Sequence, residues 1–106
     1  MPKYLFQISY TASGVQGLRK EGGVERKTAL GDLMKSAGGS LESFYYAFGD
    51  DDAYIIADLP DREAATAVAL AVAAASAVTI KTTVLIDPET VDAAVKRTVN
   101  YRPPGS

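Results

Sequence analysis

The sequence predicts an α+β fold: a four-stranded antiparallel sheet in the order β-α-β-β-α-β, followed by a C-terminal helix and an extended tail. Three observations lead there. Four segments read as strands, the first alternating its residues with period two. The segments after the first and third strands carry capping signals and apolar or small residues suited to helices. Only "GDDD" separates the second strand from the third, a length that suits a hairpin.

Each element follows from its residues. In "KYLFQISY" Tyr4, Phe6, Ile8 and Tyr10 point one way and Leu5, Gln7 and Ser9 the other, which is a strand. Ser13 and Gln16 have capping-box spacing and start a short helix. Gly22-Gly23 breaks it. Val24, Leu30, Leu33, Met34 and Ala37 then recur at near-helical spacing, and Gly38-Gly39 stops that second helix. "SLESFYYAF" and "AYIIADL" form the hairpin strands. Asp61 caps the next helix, with Glu63 in its first turn. Small residues surround that helix and let it approach a neighbour closely. "AVTIKTTVLID" is the fourth strand. Asp87 and Pro88 supply an N-cap and a first-turn proline for the last helix, which ends near Arg97. Paired prolines make residues 98–106 an extended tail. This order is the ferredoxin-like arrangement, and residues 1–106 form one domain with no internal repeat.

Composition removes several chemistries. There is no cysteine and no histidine, so disulfides, thiolate catalysis, CxxC zinc sites, histidine-ligated haem and a Ser-His-Asp triad are excluded. No cofactor and no metal is expected. The net charge of −2 gives no field that favours nucleic acid, and Arg19, Lys20, Arg26 and Lys27 read as a solvated loop and helix face. "AATAVALAVAAASAVTI" falls short of the roughly 20 apolar residues that span a bilayer. "MPKYLFQISY" lacks a signal-peptide shape, so the expected location is cytoplasmic.

Helices cover one face of such a sheet. Phe6, Ile8, Ile55, Ala57, Leu59, Val78, Ile80, Val84 and Ile86 are assigned to it. The other face then receives Phe44, Tyr46, Phe48, Tyr54 and Ile56 together with Gln7, Asp58 and Lys81. That set is too aromatic for bare solvent and too polar for a dry core. A homo-oligomer that opposes two sheets satisfies both demands, so the expected partner is a second copy of the chain. Two readings of the face stand side by side: plain interface, or a small-molecule pocket lined by Gln7, Tyr46, Tyr54, Asp58 and Lys81.

Asp50, Asp51 and Asp52 read as turn residues. Calcium needs several oxygens converging at about 2.3–2.6 Å, and adjacent residues in a hairpin point apart. Asp52 is the one expected to bond backbone amides. Gly22-Gly23 lacks GxxxxGK[ST] and is an inter-helix break rather than a phosphate loop. Arg102-Pro103-Pro104 reads either as a loose terminus or as an arm lying over a neighbouring subunit.

Five stretches together resemble the GYD domain family of small bacterial and archaeal proteins: "KYLFQISYTASGVQGL", "GLRKEGG", "YYAFGDDDAYIIADLPD", "IKTTVLIDPETVDAAVK" and "YRPPG". The resemblance covers nearly the whole chain and implies a ferredoxin-like fold of the dimeric α/β-barrel type. In the family's Gly-x-Tyr-Asp pattern Gly49 and Asp52 match, while Asp51 stands where the tyrosine usually is. The family offers no established catalytic set to carry over.

Three functions fit these residues: a non-catalytic oligomer whose main property is self-association or a small-ligand cavity on its sheet face, a cofactor-independent oxygenase or isomerase, and a regulatory ligand-binding module without an attached DNA-binding domain. Enzymatic chemistry would fall to Asp58, Lys81 or a tyrosine, because the chain has no His or Trp and its one Asn is Asn100.

Overall fold

The strands and helices follow the polarity of the sequence with few exceptions. A computed structural model describes residues 1–47 and 49–105. Phe48, expected on the open face, and Ser106 lie outside the described residues. In chain order the elements are β1 (Lys3–Tyr10), α1 (Ala12–Glu21), α2 (Gly23–Ser36), β2 (Ser40–Tyr46), β3 (Ala53–Asp58), α3 (Arg62–Ala74), β4 (Val78–Leu85) and α4 (Pro88–Val95). The sheet runs β2-β3-β1-β4, and each neighbouring pair is antiparallel. The fold class is α+β.

Local chemistry sets the helix ends. The Asp61 carboxylate accepts from the Ala64 amide at 2.8 Å, and Asp87 accepts from the Thr90 amide at 2.9 Å and its hydroxyl at 2.6 Å. Those two Thr90 bonds favour the ionised form and hold the Asp87 carboxyl below its ordinary value. The cap of α1 is Thr11 rather than Ser13. Its hydroxyl oxygen accepts from the Gly14 amide at 3.3 Å and donates to the Ala77 carbonyl at 3.0 Å. The bond across to Ala77 fixes where the helix starts. Gly14 is required there, because a Cβ would lie 1.9 Å from that carbonyl oxygen. Gly22 separates α1 from α2 at φ 91°, a conformation that disfavours side chains.

The core lies between the sheet and the helices. Tyr4, Phe6 and Ile8 of β1 and Ala53, Ile55 and Ala57 of β3 are buried against Leu30 and Met34 of α2 and Ala65 and Val68 of α3. Alternation places these strand residues on one face, as their period predicts.

Two assignments change. The register of β2 shifts between Leu41 and Ser43: Leu41 pairs with Ala57 and Ser43 with Ile56, so Glu42 is the extra residue of a bulge. Phe44 then pairs with Ile55 and Tyr46 with Ala53. Both belong to the helix-covered face rather than the open one. Phe44 packs on the core, and the Tyr46 hydroxyl donates to the Gly23 carbonyl at 3.1 Å. Val84 and Ile86, expected under the helices, are 58% and 65% exposed. Arg62, Ala65, Thr66 and Ala69 of α3 border a surface hollow beside Val84, which stays open to water. Every described residue from Ile86 onward is exposed, α4 included. No described helix is long and apolar enough to cross a membrane.

Candidate functional site

The face of the sheet without helices carries an apolar band between two charged clusters. Leu5 pairs with Ile56, and Tyr54 lies between Gln7 and Tyr45. Leu5, Ile56 and Tyr54 are half-buried, and Tyr45 is exposed. At one end of the band stands Lys3, whose ammonium donates to Glu42 at 2.6 Å and to Asp58 at 2.8 Å. The bulge in β2 turns Glu42 toward this lysine. Hydrogen bonds that the ammonium donates to Asp58 and then to Glu42 raise the Lys3 pKa above its ordinary value.

The other end is built around Asp51. Its carboxylate accepts from the Gln7 amide nitrogen at 3.2 Å and the Ser9 hydroxyl at 3.2 Å, and it meets the Lys81 ammonium at 3.1 Å. Asp51 is 3% exposed, the sole buried charged or polar side chain among the described residues. The connection from β2 to β3 folds it over the end of the open face. Its neighbour Asp52 holds that connection in place. The Asp52 carboxylate accepts from the Tyr10 amide at 2.8 Å, its own amide donates to the Ile8 carbonyl, and its carbonyl accepts from the Ala47 amide. The expected amide-binding role of Asp52 is therefore present in the structure. Two adjacent aspartates point apart: one bonds backbone, the other bonds side chains.

Of the five residues expected to line a pocket, the structure brings three together. Gln7 pairs directly with Tyr54 on one side and Lys81 on the other. Asp58 pairs with Lys3, four positions along β1 from Gln7. At the rise of a strand that is about 13 Å away. Gln7 does not bridge Asp58 to Lys81, since each has its own partner. Tyr46 stands on the opposite face. Asp51 was missed because its neighbours in sequence made it look like one more turn residue. A row of three carboxylates in so short a connection can hold one that is turned inward, and that was the available signal.

A buried carboxylate beside an exposed ammonium, an amide and a hydroxyl can hold a small polar molecule through donors and acceptors at once. No described group of three carboxylates or other ligating side chains gathers to hold a metal.

Comparison with known proteins gives one family. The family model for the GYD domain matches residues 4–95. No curated protein and no solved structure matches the chain.

Proposed function

The chain belongs to the GYD domain family, and on that premise we propose that it is a homo-oligomer of the ferredoxin-like, dimeric α/β-barrel type that opposes its open sheet faces and encloses a small polar ligand site between them. The observation that carries this reading is the open face itself. It holds Leu5, Tyr54, Ile56 and Tyr45 with no helix over them. Such a patch, rimmed by charge, fits a protein interface. A second sheet packed about 10 Å away would shield it. The strand order β2-β3-β1-β4 and the element order support the ferredoxin-like description.

The ligand site of this reading is Gln7, Tyr54 and Lys81, completed by Asp51 and Ser9. In a closed assembly Lys81 loses water, and a hydrated or ligand-filled cavity costs less than a dry one around an ion pair. Asp58, with Lys3 and Glu42, closes the other end.

Light scattering of the purified chain tests the assembly. The expected mass is a multiple of one chain, and Ile56→Asp reduces it to a single chain while the circular dichroism of the fold remains. A monomer at micromolar concentration overturns the proposal. So does an Ile56→Asp protein that assembles like the parent.

A further inference from the structure

On the helix-covered side a cleft of about 220 Å³ opens between α2, α3 and the sheet. Ile8, Phe44 and Val78 line it from three strands, Leu33 from α2 and Val72 from α3. All its described lining residues are apolar except Tyr10 and Arg26. The sequence made Arg26 part of a solvated face, yet it is half-buried at this cleft. Its one ionic partner among the described residues is Glu21, 3.6 Å away. That is too long for a hydrogen bond, so the guanidinium keeps free donors at the edge of an apolar space.

Tyr10 stands beside it. Burial, reinforced by the neighbouring Tyr46 hydroxyl, pushes the Tyr10 phenol up to about 12, with the Arg26 charge pulling the other way. At neutral pH the phenol is protonated, as an ordinary tyrosine also is, so its hydroxyl can donate. Tyr46 is fixed by its bond to the Gly23 carbonyl and by an edge-on contact with Phe44 at 4.9 Å between ring centres. Phe44 and Tyr10 line the cleft, and Tyr46 stands outside its lining, behind them.

We infer that this cleft binds a small hydrophobic carboxylic acid, its apolar body between α2 and α3 and its carboxylate on Arg26, with the Tyr10 hydroxyl as a second donor. Each part of the ligand follows from a part of the cleft. Aliphatic and aromatic walls select an apolar body. A planar guanidinium fork matches a planar carboxylate. A phosphate dianion is disfavoured, since Arg26 is the single cation in the lining and Glu21 is next to it. An amine is repelled by Arg26. The volume is below the roughly 300–1,000 Å³ of drug-sized pockets, which restricts the acid to a short chain or a single ring. The site lies on the opposite side of the sheet from Asp51 and Lys81, so it stands or falls independently of the assembly proposed above.

The test is a 1H–15N NMR titration of the full chain with 4-phenylbutyrate and, separately, its neutral amide. The acid is expected to give saturable shifts at Ala71, Val72, Ala75 and Val78, with the amide at least tenfold weaker. Arg26→Gln should lower the affinity for the acid to that for the amide. Ala71→Phe, which fills the space between the helices at an exposed position, should abolish binding of both. The same spectra show that each variant is folded. No shift at millimolar acid, equal affinity for acid and amide, or shifts centred on Gln7 and Lys81 would each overturn the assignment. The comparison of acid with amide needs no variant and decides the question by itself.

Discussion

Lys3 and Lys81 share the open face of one sheet, and each meets carboxylate, but their surroundings differ. The Lys3 pairs are shorter, at 2.6 and 2.8 Å against 3.1 Å. Their carboxylates keep 40% and 24% of their side-chain surface in water, whereas Asp51 keeps 4%. Distance alone would rank the Lys3 cluster first. Burial reverses the order. An exposed pair exchanges one set of water contacts for another and is screened by salt. A buried carboxylate that loses its donors regains no water unless the structure opens.

Three substitutions bear on this contrast, read as urea midpoints. The largest expected loss is for Asp51→Ala, about 2–3 kcal/mol, because Gln7, Ser9 and Lys81 lose a shared partner and the β2–β3 connection keeps only the ties made through Asp52. An effect within ordinary surface scatter would break the comparison at its root. Lys81→Met should cost about 1 kcal/mol: Asp51 keeps its bonds to Gln7 and Ser9 but loses the cation, whose own exposure limits what it contributes. High salt should shrink the difference only in part, since the carboxylate is sheltered. Lys3→Met should be the mildest, within the scatter of ordinary surface changes and smaller still in salt. If Lys3→Met proved more damaging than Lys81→Met, contact distance rather than burial would be governing the face.

The contrast could not be drawn from sequence, and the reason is specific. Lys3 and Lys81 fall on the open face by alternation alone. Which carboxylate each finds depends on register and on a loop. Asp58 and Lys81 share a face by parity, yet on either side of β1 the pairing sets Asp58 opposite Lys3 and Lys81 opposite Gln7, four positions apart. Asp51 lies in no strand, so no period describes it. Phe44 and Tyr46 were misplaced by the same logic in reverse. Strict alternation through β2 sends them outward, and one extra residue at Glu42 returns both to the helix-covered face, Phe44 against the core and Tyr46 at its exposed margin. The three-residue spacing of Leu41 and Phe44, both facing the core, is the mark a bulge leaves in a sequence.

By itself the sequence determined the element order, the inward faces of β1 and β3, and the caps at Asp61 and Asp87. These depend on contacts within a few residues or on a period of two, and such information is local. The family match also needed nothing more than the residues. Tertiary structure decided the rest. Thr11 displaced Ser13 as a cap because Ala77 came within reach, Arg26 left the solvated face for a cleft that two helices make together, and Asp51 became a buried acceptor because β1 and β4 brought Gln7, Ser9 and Lys81 to one place. Each of these rests on groups distant in sequence, whose meeting is fixed by register and packing and by no property of either residue alone.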